Sequence, residues 1–318
     1  MFGNSEIELS KENNKKFYYS KLKIKKEKEE LEKFLKENPS LKNIDELRIM
    51  KSTEALVDPT RKKSFYQIEG FLFRNKEITE EKIKELIEKI KEEIKDYREE
   101  EVYIMNYDEN IIPIDMDRGI PKEMIQEKMD ELISFMNKEG DKSTINDFIK
   151  SQIIHFDFVY IHPFTDGNGR CARTLSKWYL LNHENYYLSL VNRYYLTHKE
   201  EYKKSIRKSK KGDLSPFISL SLKGLLKELQ IEENINKIEE DRNIMLEDQE
   251  YLCLEYLYHT NNQSLNELSR MINNFSKYDK KEEFLKESLS RLLEKGIISI
   301  QDGKIEILSN QENRKQLN

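Results

Sequence analysis

Residues 162 to 173 read His-Pro-Phe-Thr-Asp-Gly-Asn-Gly-Arg-Cys-Ala-Arg, and put an imidazole, a carboxylate, two glycines and two guanidinium groups into one short stretch. Gly167 and Gly169 flank Asn168, so successive backbone N–H groups can turn into one concavity. If a helix begins there, the positive end of its dipole falls at the same place and makes an anion site. Arg170 and Arg173 are three apart, so both emerge on one side of a first helical turn, and their planar forks suit phosphate oxygens. Asp166 is a carboxylate among groups that attract anions. That makes sense if it holds a Mg²⁺ ion that bridges phosphates, because Mg²⁺ is usually held by one or two carboxylates plus substrate oxygens. His162, at the opening of the stretch, is the candidate general base. The plain alternative is a glycine-rich loop between core helices, with a solvated aspartate and two surface arginines.

The surrounding pattern says what holds these groups. Ile145, Phe148, Ile149, Ile153, Phe156, Val159 and Tyr160 recur at helical spacing, which predicts a helix over 145–161. Pro163 biases His162 away from helical geometry and ends that helix. Ala172, Leu175 and Tyr179 then mark the inner face of a second helix that runs to Asn182, with Trp178 in the core. The motif is helix, tight loop, helix N-terminus. Further helices are predicted over 15–37, 44–57, 80–94 with Thr79 as N-cap, 121–137, 199–211 and 216–229. Residues 102–114 switch to strand character around a polar Asp108–Asn110 turn, which predicts a β-hairpin. His155 reads as a packed or hydrogen-bonded helix histidine near the site. Taking it with His162 and Asp166 as metal ligands gives a phosphohydrolase alternative, which leaves the Gly-Asn-Gly-Arg run unexplained.

Residues 162–173 resemble the signature of the Fic family, His-x-Phe-x-(Asp/Glu)-Gly-Asn-Gly-Arg-x-x-Arg, with every fixed position present. The resemblance implies a protein adenylyltransferase that moves AMP from Mg-ATP to a Ser, Thr or Tyr hydroxyl of a protein target. It assigns His162 as the base and Asp166 as the Mg²⁺ ligand. Gly167, Asn168 and Gly169 hold phosphate oxygens through N–H groups, with Asn168 adding its side chain. Arg170 takes the β-phosphate and Arg173 the γ-phosphate. It also implies that Glu69-Gly70 ends an inhibitory helix whose glutamate pairs with Arg173, although Phe65 stands where that pattern has a hydroxyl residue. By its residues alone, Glu69 reads as a helix C-terminal carboxylate ahead of a glycine cap. The hairpin becomes a flap that holds the target by strand addition. Tyr202 matches a tyrosine that lines the nucleotide base, while Lys210 stands near the place of a second, asparagine contact. An enzyme that removes AMP, with Glu69 aligning water, and transfer of another nucleotide or phosphate group are the alternatives within the same resemblance.

The C-terminal part has its own pattern. A charged helical connector over 232–250 leads to helices over 252–258, 265–272 (N-cap Ser264) and 281–294, then to Ile297–Leu308 alternating around Asp302-Gly303. Three helices and a hairpin resemble a winged helix-turn-helix, which often follows a Fic core in bacterial chains. Its third helix nearly balances Lys280, Lys281, Lys286, Arg291 and Lys295 with Glu282, Glu283, Glu287 and Glu294, which is poor for phosphate neutralisation. A dimerisation or partner role therefore stands ahead of DNA binding, and a DNA-binding regulator with a vestigial core is the reading of another class. The fold class is mostly α: a Fic-type helical core with a small hairpin flap, plus the winged module. The division is 1–60 helical, 61–230 core, 231–245 connector and 246–310 winged module. With 36% charged residues, 10 Gly and 6 Pro in 318, the composition suits a soluble helical protein. A formal charge of −5 speaks against a whole-chain role on nucleic acid or a membrane surface. Cys171 and Cys253 form no metal or redox pattern, and neither a signal peptide nor a membrane-length apolar run is visible, so the cytoplasm is the expected compartment.

Overall fold

The structure, a computed structural model, describes residues 22–54, 62–107, 113–138, 143–210, 212–259, 264, 268–269 and 281–308. Among them, residues of the ranges Met1–Glu32, Lys63–Ser189 and Lys199–Lys223 form one compact unit, and those of Lys33–Lys62, Leu190–His198 and Gly224–Asn318 form a second. No helix among the described residues is long and apolar enough to cross a membrane.

The chain begins with α1 (Lys25–Glu37), a 3₁₀ turn at Pro39–Asn43 and α2 (Glu46–Glu54). The start of the predicted 15–37 helix and the segment after Glu54 lie outside the described residues. In the first unit come α3 (Lys62–Arg74), α4 (Glu80–Ile90), the hairpin β1 (Tyr103–Tyr107) and β2 (Pro113–Arg118), then α5 (Ile125–Asn137), α6 (Thr144–Ile161) and α7 (Asn168–Asn182). The hydroxyl of Thr79 caps α4 by accepting from the Lys82 N–H, as its sequence position predicts. That helix buries Ile83, Leu86, Ile87 and Ile90 and stops at Ile90 rather than Ile94. The hairpin is antiparallel, with Tyr103 facing Arg118 and Met105 facing Met116, so its second strand extends beyond Ile114. Its predicted Asp108–Asn110 turn lies outside the described residues.

α6 is apolar on nearly every side, which marks a helix enclosed by others. Phe148, Ile149, Ile153, Ile154, Phe158 and Ile161 have no exposed surface, and α6 packs against α5 and α7. Ser143 caps its start. α3 docks on α7 through Phe71, edge-on to Trp178, and through the Trp178 indole, which donates to the Asn75 carbonyl at 2.7 Å. Gly70 is internal to α3, so it is not the cap that its sequence position suggested. α9 (Lys199–Ser209) follows the basic stretch, and Asn168, Trp178 and Tyr179 all belong to the buried interior.

The second unit holds α8 (Val191–Thr197), most of α10 (Ser215–Arg242), α11 (Asp248–His259), α12 (Lys281–Glu294) and a hairpin of β3 (Ile298–Gln301) with β4 (Lys304–Ile307). α10 is one continuous helix, so the expected break between a 216–229 helix and a 232–250 connector is absent. Nothing between Ser215 and Arg242 stops a helix: the one glycine, Gly224, leaves room for Tyr194, whose ring would meet an added Cβ at 2.6 Å. Asp302 and Gly303 both have positive φ, the two-residue turn that a right-twisted hairpin favours. Gly296, also at positive φ, ends α12. Of the predicted 265–272 helix only residues 268–269 are described, and they are helical. Arg193 is fully buried and bonds Glu228 at 3.0 Å and Glu232 at 2.8 Å, with Glu255 at 3.3 Å. Glu228, Glu255 and His259 converge at metal-ligand spacing, and both carboxylates are ion-paired with Arg193.

Candidate active site at the N-terminus of helix 7

The signature stretch forms a loop between α6 and α7, as its pattern predicts. His162 closes α6 with φ 52 and ψ 58. Proline at 163 pushes its predecessor out of the right-handed helix, and here the chain takes the left-handed region rather than the extended one. That costs a non-glycine residue roughly 1–2 kcal/mol, so other contacts must hold it. The turn is stapled by Asn168, whose side chain accepts from the Phe164 N–H at 3.0 Å and donates to the Phe164 carbonyl at 2.7 Å. One of the two amide N–H donors of Asn168 is thus used within the loop.

Gly167 sits at φ 80 and would bring a Cβ within 2.9 Å of Ile87, so both conformation and space demand glycine. Gly169 differs. It lies in the first turn of α7, and an added Cβ would meet only Arg173 at 3.7 Å. Its bare backbone leaves the approach to that turn open. No side chain caps α7, so its leading N–H groups and its dipole face outward together, a standing anion site.

The charged groups have definite partners. Arg170 donates to the carbonyl of Ile90 at the end of α4, at 3.1 Å. Arg173 bonds the hydroxyl of Tyr202, which is also 2.9 Å from Nε2 of His155. Tyr202 is therefore a neighbour of the second arginine, through a side chain held by a buried histidine. Burial lowers the His155 pKa well below the ordinary value and Arg173 adds to this, so His155 is a neutral group, hydrogen-bonded to Tyr202. Asp166 is exposed and paired with Lys91 at 2.9 Å. The Lys91 ammonium, with the Gly167 N–H, holds its carboxyl below the usual range, so it is ionised at neutral pH. An exposed, ionised, hard oxygen donor beside an anion site fits a Mg²⁺ ion.

Burial pushes the His162 imidazole down to about 4. The positive charges of Lys210 and Arg98 act the same way, and the Val159 carbonyl opposes them. The ring is neutral at pH 7 and able to accept a proton.

Glu69 is buried on α3 and pairs with Lys177 at 2.5 Å and with the Tyr186 hydroxyl at 3.1 Å. The expected partner was Arg173. Lys177 is four residues further on the same helix, so Glu69 meets the same face of α7 one turn later. Sequence reading missed Lys91, Arg98, Lys177 and Tyr186. Only Lys177 carried a signal, its i+4 spacing from Arg173. The others meet the site through contacts remote in sequence.

Residues 77–180 match the model of the Fic/DOC family. Protein adenylyltransferase fic-1 of Caenorhabditis elegans is 30% identical over 99 residues, which is 31% of this chain and 18% of that protein. Protein adenylyltransferase Fic of Nematostella vectensis is 39% identical over 64 residues, 20% of this chain and 14% of that protein. The chain thus spans less than a fifth of the length of these relatives. The crystal structure of a Fic family protein from Desulfovibrio desulfuricans G20 superposes with a TM-score of 0.52 at 16% identity, over 89% of this chain and 94% of that chain, a likeness of fold. The stretch that joins a neutral imidazole to an uncapped helix N-terminus lies inside the region that matches the Fic/DOC family model.

Proposed function

We propose that this chain is a protein adenylyltransferase, moving AMP from ATP to a Ser, Thr or Tyr hydroxyl of a protein target. The observation that carries the reading is the uncapped first turn of α7, set behind the left-handed Gly167 and beside a neutral His162. The relatives named as adenylyltransferases support it over the matched region. In the reaction the target hydroxyl oxygen bonds to the α-phosphorus while the bond from that phosphorus to the bridging oxygen breaks. Pyrophosphate leaves, and the hydroxyl proton passes to His162. Negative phosphates near the imidazole raise its basicity from the unliganded level, which brings it towards working pH. The N–H groups of Asn168 and Gly169 hold phosphate oxygens, Arg170 the β-phosphate and Arg173 the γ-phosphate, so the protein supplies position and fixed charge. Asp166 would hold Mg²⁺, which supplies charge neutralisation for the departing pyrophosphate.

The hairpin β1–β2 offers main-chain pairing to an extended target segment, which needs little target sequence. Glu69, on a helix packed against α7, is the inhibitory group in this reading, restraining the nucleotide until it moves. The second unit serves a partner or a second copy of the chain. Arg291 is ion-paired with Glu247, and Lys295 with Glu250, which spends charge that DNA would need.

ATP labelled at the α- or the γ-phosphate separates the readings. Label on protein from the α position alone, rising in Glu69→Gly, is the expected result, and label from γ would mean phosphotransfer. His162→Ala should lower transfer at least about 100-fold, the lower end of what a general base contributes. Loss under threefold removes that role from His162. Transfer unchanged or lower in Glu69→Gly removes the inhibitory role from Glu69.

A further inference from the structure

Arg98 lies between α4 and β1, is almost wholly buried, and directs its guanidinium at backbone carbonyls. Its Nε donates to the carbonyl of His162 at 2.8 Å, Nη1 to that of Glu100 at 2.8 Å and Nη2 to that of Ile120 at 2.6 Å. Its own N–H donates to the Pro163 carbonyl at 2.8 Å. Glu100 precedes β1 and Ile120 follows β2, so one planar fork ties both roots of the hairpin to the residue that ends α6. The roots are further joined by the Gly119 N–H donating to the Val102 carbonyl at 3.1 Å. A Cβ at Gly119 would lie 2.8 Å from Val102 and 3.1 Å from Nη2 of Arg98, so glycine there is what lets the strands close on the guanidinium.

Burying a cation is costly, and desolvation lowers the Arg98 pKa, with the nearby carboxylates of Glu101 and Glu123 opposing it. Three charge-assisted bonds to carbonyls offset that cost only because the fork is rigid and planar, and an ammonium cannot reach all three. The His162 backbone is the strained one, and Arg98 grips its carbonyl. We propose that Arg98 is a positioning residue: it holds His162 in its left-handed conformation and fixes the roots of the hairpin in register with the imidazole. A hydroxyl on a segment paired to the hairpin then meets the base at a set distance. The role in catalysis rests on the adenylyltransferase reading; the mechanical coupling does not.

The test uses the full chain as wild type, Arg98→Lys and Arg98→Met. Lysine keeps the charge and loses the fork. Two readouts are taken: steady-state transfer, and amide hydrogen exchange at Gly119 and His162, with Ile153 and Ile154 in α6 as controls for folding. Misplacing reacting groups by about 1 Å costs on the order of 100-fold. Both variants should therefore lose about 10- to 100-fold in kcat while KM for ATP changes less than about threefold. Exchange at Gly119 and His162 should quicken in both, with the α6 controls unchanged. Arg98→Lys with wild-type kcat and wild-type exchange overturns the proposal, because charge alone would then suffice. So does a loss in Arg98→Met that appears wholly in KM for ATP, which would make Arg98 a nucleotide contact. If α6 exchange also rises in Arg98→Met, Arg98→Lys decides. If the wild type transfers nothing, the adenylyltransferase reading fails by itself, and the exchange data still confirm or overturn the coupling.

Discussion

At the scale of single residues, the site works by giving each polar group one task. Asn168 closes the loop with its side chain, and the helix fixes the backbone N–H groups of the first turn of α7. Asp166 meets Lys91, which keeps the carboxylate ionised. His162 is kept neutral chiefly by burial. Its folded pKa of about 4 lies below the 6.5 usual for histidine, so the base form persists as pH falls through that interval. The kcat/KM of the free enzyme should stay level from pH 7 to about pH 5 and fall only near 4; an acid limb at 6.5 would contradict the burial of the ring. The same shift has a stability consequence with a definite sign. Between 6.5 and about 4 the unfolded chain binds the proton and the folded chain does not, so stability falls as pH drops through that window. His155, lowered for the same reason, adds to the fall. Urea midpoints at pH 7, 5.5 and 4 would measure it.

At the scale of elements, α4, α6 and α7 build the site between them. α6 ends where proline and Arg98 make it end. α7 starts uncapped at a glycine, and the end of α4 supplies Ile90 and Lys91 to Arg170 and Asp166. The fit of Ile87 under Gly167 leaves no room for a side chain. Gly167→Ala should cost about 1–2 kcal/mol for the left-handed backbone alone, with the clash adding to it. It should also weaken ATP binding, since the first-turn N–H groups would shift. Urea unfolding and calorimetric titration with ATP check the two effects; a loss no larger than the backbone cost would mean that α4 moves aside, and unchanged stability would contradict the left-handed conformation at Gly167. The helices flanking the signature, the Thr79 cap and the Asp302-Gly303 turn were legible in the sequence, because each is set by local periodicity or by one residue's backbone preference. The unbroken α10 was not. Its charged stretch reads as a connector, but a charged surface and a continuous helix are compatible when one stripe is buried.

At the scale of the whole molecule, the two units rest on different chemistry. The first has an apolar core around α6. The second places a buried arginine among three glutamates and a tyrosine, on α8, α10 and α11. Removing the cation leaves buried carboxylates without compensation. Arg193→Met should destabilise the second unit by about 3–5 kcal/mol, the usual cost of breaking a buried ion pair from one side. Urea unfolding followed through amide exchange in α11 should show this loss there, and a change below about 1 kcal/mol would mean that the glutamates are protonated in the fold. Nothing in the spacing of Arg193, Glu228, Glu232 and Glu255 announced their meeting, since each is unremarkable within its own helix.

The sequence by itself determined the family signature, the mainly helical architecture, the order of helix, loop and helix around His162 to Arg173, and the two hairpins. These follow from local rules: periodicity, proline and glycine geometry, and the types of residue that phosphate chemistry requires. Only the tertiary structure decided which partner each charged group takes. It put Glu69 on Lys177 rather than Arg173, Tyr202 against Arg173 and His155, Asn168 within its own loop, and Arg98 across the roots of the hairpin. The reason is that a side chain's partner depends on where distant helices cross, and a shift of one helical turn exchanges one partner for another without changing the local pattern that a sequence displays.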